Sequence, residues 1–344
     1  MAIIDKPSDY FNTLLYTGNG SSSHGVTGVG FTPNWTWIKE RSQTESHFLF
    51  DTVRGDNKYV NSNTTDQEYT ESGGMAFNSN GFTLGSWNSV NESSQTYASW
   101  NWKAGTSFTN DASATGIGSI DSTGSVSQEA GFSIVSFTGT GANATIAHGL
   151  GAIPKMMIFK TRDYATAWVV YHKSVGATKG LFLNTTGTGS TVSAYFQDTD
   201  PTSSVFSVGS DNDTNRSSSP MIAYCFAEKQ GYSKFSSYVG NGNVSGVYLH
   251  LGFSASFIMF KRTDSTGAWV MKDNKRDAYN VATKYLYANA NDAESTSYNV
   301  DFTANGVKLR GSDAQFNASG GTFIYMAFAE NPFVTSTGVP ATAR

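Results

Sequence analysis

The motifs YTGNG (16–20), FTGTG (137–141) and YVGNG (238–242) follow one pattern, in which an aromatic residue is followed by two closely spaced glycines. They lie 121 and 101 residues apart. The same two offsets carry Lys39 of WIKER onto Lys160 of IFKTR and Lys261 of MFKRT. Because one register accounts for all of these matches, we interpret the chain as three tandem copies of one unit of about 100 residues.

The repeat sets the predicted domain boundaries. The extra residues between the first two copies fall in a Gly-, Ser- and Thr-rich segment, for which we predict a flexible or extended linker. The second and third copies are joined only by AEKQGY (227–232), so we expect a rigid pair and a more loosely placed first copy. The predicted divisions are a first repeat at 1–104, a linker at 105–129, a second repeat at 130–230, a third repeat at 231–335 and a C-terminal tail at 336–344.

Each copy contains short apolar runs that end in charged residues and turns, as in WTWIKERS (35–42), KMMIFKTRD (155–163) and SFIMFKRTD (256–264). Only 15% of the residues are charged, while Gly, Ser, Thr and aromatic residues are abundant. This composition suits short strands joined by many turns and disfavours helices. The prediction is an all-β fold in which each unit is an antiparallel β-sandwich or jelly roll.

Composition also excludes several classes of function. The net charge of −4 and the lack of a basic run argue against a nucleic-acid partner. The single cysteine, Cys225, cannot form an intramolecular disulfide. The N-terminal MAIIDKPSDYF does not have the pattern of a signal peptide, and no stretch approaches the about 18 apolar residues of a membrane span. We therefore expect neither membrane insertion nor a cofactor.

Several stretches together resemble a repeat family found in virion proteins of tailed bacteriophages, mostly marine ones. The resemblance covers most of the chain, from about residue 8 to residue 335. The stretches that carry it are YFNTLLYTGNG, GVGFTPNWTWIKERS, FLFDTVRG, GFTLGS, ASWNWKAG, GFSIVSFTGTGANATIAHGLGAIPKMMIFKTRD and FIYMAFAENPF. The family has no assigned catalytic residues that could be transferred to this chain.

The resemblance implies a structural protein displayed on the virion, as a tail fibre, a tail-associated component or a head (capsid) decoration. Its implied partners are other virion proteins, including further copies of itself in a trimer, and its implied location is the virion, assembled in the host cytoplasm. A role in host adsorption, with a host cell-surface glycan as partner, is part of this expectation. The alternatives are a glycan-binding receptor-recognition module and, less favoured, a polysaccharide depolymerase.

Residues that recur in all three copies are most simply explained by the fold. For Lys39, Lys160 and Lys261 we predict a stem that covers the edge of the core and an ammonium group that stays in water. Cys225 alternates with aromatic residues along a strand, which predicts a packed and unreactive thiol. No Ser or Cys has the surroundings of a nucleophile, so no catalytic residue is assigned.

The segment DNDTNR (211–216) is the best candidate for a cation site, because Asp211, Asp213 and Asn215 alternate like the start of a calcium loop. Arg216 stands where such a loop requires Gly, and Ile222 stands where it requires Glu. We therefore favour a polar turn and predict no metal site.

Aromatic residues in polar, turn-rich surroundings are candidates for glycan contacts, because a flat ring can stack on a sugar while neighbouring polar groups bind its hydroxyls. Trp87, Trp35, Tyr164 and Tyr195 meet this description. Trp87 is the strongest of the four, since the matching positions of the other copies hold Asp211 and Asp313.

Overall fold

The computed structural model describes residues 3–340 and is built almost entirely of β-strands. A short 3-10 helix, Pro7–Asp9, precedes the first strand, and the α-helices within the described range are single turns of four residues. The prediction of an all-β fold is confirmed. Residues 341–344 of the predicted C-terminal tail lie outside the described residues.

Residues 11–102 form the first sandwich. Its larger sheet has the strand order β1-β9-β3-β4-β5-β6 and its smaller sheet the order β2-β8-β7, with antiparallel pairing. Apolar side chains from both sheets, such as Ile38, Phe48 and Phe82, meet in one core. The elements are β1 (Phe11–Thr17), β2 (His24–Thr27), β3 (Trp35–Glu40), β4 (His47–Asp51), β5 (Lys58–Val60), β6 (Tyr69–Thr70), β7 (Met75–Asn78), β8 (Gly81–Leu84), α1 (Asn88–Asn91) and β9 (Thr96–Trp102).

The segment predicted as a linker, 105–129, is ordered in strands. It forms β10 (Thr106–Asn110), α2 (Ala112–Thr115) and β11 (Ser122–Ser127). Strand β10 pairs with β11, and β11 pairs with the first strand of the following sandwich along six residue pairs. The segment connects the first two sandwiches, but it does so as a hairpin added to the edge of a sheet. Small polar residues are compatible with an edge strand as well as with a coil.

Residues 132–226 form the second sandwich. The hairpin extends its larger sheet to the order β10-β11-β12-β19-β14-β15-β16-β17, and β13 pairs with β18 on the other side of the core. Phe159, Phe206 and Cys225 lie in that core. The elements are β12 (Phe132–Thr138), β13 (Ala144–Ala147), β14 (Met156–Thr161), β15 (Val169–His172), β16 (Lys179–Phe182), β17 (Ser190–Thr191), α3 (Ser193–Phe196), β18 (Val205–Val208), α4 (Asn212–Asn215) and β19 (Pro220–Phe226).

Residues 233–332 form the third sandwich. One continuous sheet, in the order β20-β27-β22-β23-β24-β25-β26-β21, folds over its own core, which includes Phe260, Phe302 and Val307. The elements are β20 (Ser233–Val239), β21 (Tyr248–His250), β22 (Phe253–Arg262), β23 (Val270–Asp273), β24 (Ala282–Tyr287), β25 (Ser295–Thr303), β26 (Gly306–Leu309) and β27 (Thr322–Pro332).

The three sandwiches also share a single central core, to which each contributes the second face of its larger sheet. Aromatic residues from the last strand of each sandwich converge there: the rings of Trp102 and Phe226 lie 5.6 and 6.0 Å from that of Phe328. Trp35 of the first sandwich stacks on Tyr224 of the second at 4.5 Å. The expectation of a loosely placed first copy is therefore wrong.

Equivalent contacts between neighbouring sandwiches close into a ring. In each contact, an indole or imidazole nitrogen at or just before the fourth strand of one sandwich bonds a backbone carbonyl in or next to the fifth strand of a neighbouring sandwich. Strands are counted in chain order within each sandwich, so the fourth strands are β4, β15 and β23 and the fifth strands are β5, β16 and β24. The second sandwich contacts the first, the third contacts the second, and the first contacts the third. The pairs are Trp168 Nε1 to Asn61 O (2.8 Å), Trp269 Nε1 to Phe182 O (2.8 Å) and His47 Nε2 to Tyr287 O (2.9 Å).

Ion pairs reinforce two of these three contacts. Glu68 of the first sandwich binds Arg162 of the second through two hydrogen bonds of 2.9 Å. Glu294 of the third binds Arg41 of the first in the same bidentate way, at 2.8 and 2.9 Å. These groups are mostly buried, so their geometry matters more than that of exposed surface pairs.

The buried lysines correct a sequence prediction. Lys39, Lys160 and Lys261 are fully buried, so their ammonium groups do not stay in water. Lys160 Nζ donates to the carbonyl of Thr65 at 2.9 Å, and Lys261 Nζ donates to that of Thr186 at 3.2 Å, in each case across to another sandwich. Burial lowers the pKa of all three lysines to about 8.

The glycine motifs are explained by close packing at the end of the first strand of each sandwich. A Cβ atom on the first glycine would lie 2.2 Å from a carbonyl oxygen of the loop that precedes the last strand, which excludes every other residue. The second glycine has a left-handed φ of 62 to 68°, which favours glycine. The first glycines are Gly18, Gly139 and Gly240, and the second are Gly20, Gly141 and Gly242.

A buried asparagine holds each of these turns, and only Asn215 of the three was selected from the sequence, as a candidate cation ligand. Its side-chain oxygen accepts a hydrogen bond from the residue between the two glycines, and its nitrogen donates to two carbonyls, one of them a glycine six residues earlier. The residues are Asn91, Asn215 and Asn317, and the glycine acceptors are Gly85, Gly209 and Gly311. All three asparagines are completely buried.

Candidate functional site

Two of the four predicted glycan contacts lie inside the protein. Trp35 is completely buried, with its ring 4.5 Å from those of Trp102 and Tyr224. Tyr195 is 6% exposed and packs edge-on against Phe182. The prediction is wrong for both residues, because their polar neighbours in sequence lie in turns while their rings turn inward to the cores.

Tyr164 lies on the surface, as predicted, and half of its side chain is exposed. The guanidinium group of Arg216 lies 3.8 Å from the centre of its ring. One face of the ring is therefore already covered by a cation–π contact.

Trp87 lines an open groove on the first sandwich. It immediately precedes α1, and its backbone nitrogen donates to Gly73 O at 3.3 Å, which joins the two loops that form the groove walls. The groove has a volume of about 550 Å³. We call it the first-sandwich groove; its lining residues are Ser22, Glu71, Ser72, Gly73, Gly85, Ser86, Trp87 and Asn88.

An aromatic cluster supports this tryptophan. The ring of Trp87 lies 4.6 Å from Phe48, edge-on, and 4.7 Å from Tyr59. Tyr59 in turn lies 5.8 Å from Tyr69, which is 43% exposed. Sequence reasoning missed both tyrosines, although their position in the short strands β5 and β6, next to a polar loop, resembles that of the aromatic residues it did select.

The chemistry of the groove suits a hydroxylated ring. Trp87 offers an apolar surface held at a defined angle, and Ser72, Ser86, Asn88 and Glu71 offer donors and acceptors at its rim. Burial raises the pKa of Tyr59, whose ring supports that of Trp87. Such a site can stack on a sugar ring and bind its hydroxyls.

At the corresponding place on the second sandwich, α3 packs on the loop that contains Gly209. The nitrogen of Gly209 donates to Tyr195 O at 3.1 Å. A Cβ atom at Gly209 would lie 2.2 Å from Ala194 O, so the helix lies directly on the loop.

The candidate cation segment is a capped helical turn. Asp211 accepts a hydrogen bond from the nitrogen of Asp213 at 2.8 Å and caps α4. Asp213 accepts from the nitrogen of Ala167 at 3.0 Å, and Asn215 binds the glycine turn described above. Within residues 3–340, no group of three or more His, Cys, Asp or Glu side chains is placed to hold a metal ion.

The thiol of Cys225 is completely buried in the second sandwich, and burial raises its pKa. A thiol in this state is a poor nucleophile. This agrees with the predicted packed residue.

Among the described residues, no helix has the length and hydropathy needed to cross a bilayer.

Comparisons with known proteins give one result about the family. A search of curated proteins finds no match to the chain. A family model described as a domain of unknown function, DUF7483, matches residues 6–332, and the chain belongs to this family.

Proposed function

We propose that this chain is a non-enzymatic structural protein of a tailed-bacteriophage virion, displayed on the particle as a tail fibre, a tail-associated component or a head decoration. The resemblance of its turn and strand motifs to repeats in virion proteins supports this assignment. Its partners are then other virion proteins, and its location is the virion, assembled in the host cytoplasm.

We also propose that the three sandwiches are three copies of one jelly-roll-like unit arranged about a common axis. The observation that carries this proposal is the closed ring of equivalent contacts around the central core. The larger sheets support it as well, because each contains the same order of its first, last, third, fourth and fifth strands. A single chain built in this way presents a threefold-like surface, which fits particles whose parts are related by rotational symmetry.

The virion assignment is tested by quantitative mass spectrometry of purified phage particles that encode this chain. A tail component is expected at roughly 6 to 18 copies per particle and a head decoration at hundreds, since both follow the symmetry of the particle. A cryo-EM map should then show a triangular density of three sandwiches at one of these places. Absence of the chain from purified particles would overturn the proposal.

Glycan binding during host adsorption is the second candidate, and the first-sandwich groove favours it. The test is inhibition of phage adsorption by the purified chain. We expect inhibition by the unmodified protein and by Tyr164→Ala, which removes an exposed ring outside the groove, and weaker inhibition with Trp87→Ala. Equal inhibition by all three proteins would exclude the groove as the contact. A depolymerase activity remains the least favoured alternative.

A further inference from the structure

The third sandwich carries a groove at the place that corresponds to the first-sandwich groove. Both begin at the glycine whose carbonyl accepts from the buried asparagine, Gly85 in the first sandwich and Gly311 in the third. The groove has a volume of about 480 Å³. We call it the third-sandwich groove; it is lined by Thr283, Ser297, Tyr298, Asn299, Arg310 and Asp313, among others.

A cluster of tyrosines supports this groove, although no tryptophan is present. The ring of Tyr298 lies 4.4 Å from that of Tyr285 and 5.5 Å from that of Phe316. The hydroxyls of Tyr298 and Tyr287 form a short hydrogen bond. Tyr298 is partly buried, so contacts on several sides hold the ring in place while one part of it lines the groove.

The backbone at Tyr298 is unusual. Its φ is 51°, in the left-handed region that residues with a side chain rarely adopt. It lies within β25, whose pairing with β24 shows a register shift. A large aromatic residue kept in a strained conformation inside a strand points to a role for the ring beyond filling space.

Polar and charged groups surround the ring. Arg310 is exposed, and its Nε donates to Asp301 at 2.5 Å, which fixes the guanidinium plane while its Nη groups bond no described residue. Asp313 is exposed, and its carboxylate accepts from the nitrogen of Gln315 through one oxygen at 2.7 Å. Asn299 is exposed beside them. Donors and acceptors thus stand next to an aromatic surface, as in the first-sandwich groove.

We propose that the third-sandwich groove is a saccharide-binding site, in which a sugar ring lies on Tyr298 and its hydroxyls bond to Asp313, Asn299 and the Nη groups of Arg310. The chain then has two saccharide sites, one on the first and one on the third sandwich. This inference rests on the proposed glycan-binding function for its biological role. Its binding chemistry stands on the groove alone.

The test uses the full purified chain on an array of immobilised neutral and acidic bacterial oligosaccharides, followed by titration calorimetry with the best-bound oligosaccharide. We expect Tyr298→Ala and Asp313→Asn each to weaken binding at one site at least tenfold, because they remove the stacking surface or a hydroxyl acceptor. Tyr298→Phe keeps the ring and should bind within about threefold of the unmodified chain, which separates loss of the ring from loss of fold. Tyr279→Ala, a tyrosine 84% exposed outside the groove, is the matched control and should bind normally.

The outcomes separate this inference from the proposed function. Binding that survives Trp87→Ala with half the stoichiometry, and is then lost on Tyr298→Ala, supports two independent sites. Binding lost with Trp87→Ala alone and unchanged by Tyr298→Ala and Asp313→Asn overturns the third-sandwich site while leaving glycan binding standing. No binding to any oligosaccharide on the array overturns both the site and the glycan-binding function, and leaves the virion assignment unaffected.

Discussion

Replacing Asn215 by alanine tests the account of how each glycine turn is held. The completely buried side chain makes three short hydrogen bonds, to Ala142 O at 2.6 Å, to Gly209 O at 2.7 Å and from the nitrogen of Thr140 at 2.8 Å, and a longer one to Thr140 Oγ1 at 3.4 Å. Each is worth ~1 kcal/mol net, and the partners left without a bond add to the cost, so we expect a loss of about 3 to 5 kcal/mol in the free energy of unfolding.

The loss can be measured as a shift in melting temperature. Because the sandwiches share one core, we expect them to unfold together, and the entropy of unfolding of a chain of 344 residues is then roughly 0.7 kcal/mol/K. The expected decrease in Tm is therefore about 4 to 7 °C by calorimetry. Asn212→Ala changes an exposed residue of the same helical turn and should leave Tm within about 1 °C.

Calcium distinguishes this account from the cation-site alternative. If Asn215 serves the turn, the decrease in Tm is the same in millimolar calcium and in EDTA. A decrease that appears only with calcium, or an Asn215→Ala protein as stable as the Asn212→Ala control, would refute the reasoning.

Three further predictions concern buried titratable groups. Burial lowers the pKa of Lys160 and Lys261 from 10.5 to about 8, so above pH 8 the unfolded chain binds more protons than the folded chain. The free energy of unfolding, measured in urea, should therefore rise between pH 8 and about 9.5, and a flat profile would contradict this. Burial lowers the pKa of His148 and His172 to about 4 from 6.5, so stability should fall as pH falls through that window, and a urea midpoint unchanged from pH 7 to 4.5 would speak against it. Cys225 should react with a disulfide reagent only in denaturant, and stoichiometric labelling of the folded chain would show that its burial is incomplete.

Local patterns were enough to predict strands and turns. Short apolar runs and glycine-rich turns follow from steric rules that act within a few residues, which is why the all-β class, the turns at YTGNG, FTGTG and YVGNG, and the packed Cys225 could be predicted. The linker prediction at 105–129 was incomplete because small polar residues are compatible with both coil and an added edge hairpin.

The candidate site was predicted only in part. Trp87 was selected because it differs from the matching positions of the other copies, and it does line a groove. Trp35 and Tyr195 have similar polar neighbours in sequence but are buried, and Tyr298 was missed because nothing in STSYNV (295–300) indicates a left-handed residue or a groove.

By itself the sequence determined which segments become strands, where glycine must turn the chain and which positions recur at offsets of 121 and 101 residues. Only the tertiary structure decided that the larger sheets are buried on both faces, that the three recurring lysines are removed from water and that Trp102, Phe226 and Phe328 meet at the centre. The physical reason is the separation along the chain over which each effect acts. Backbone sterics act between neighbours in the chain, whereas burial depends on which surfaces, a hundred residues apart, exclude water from one another.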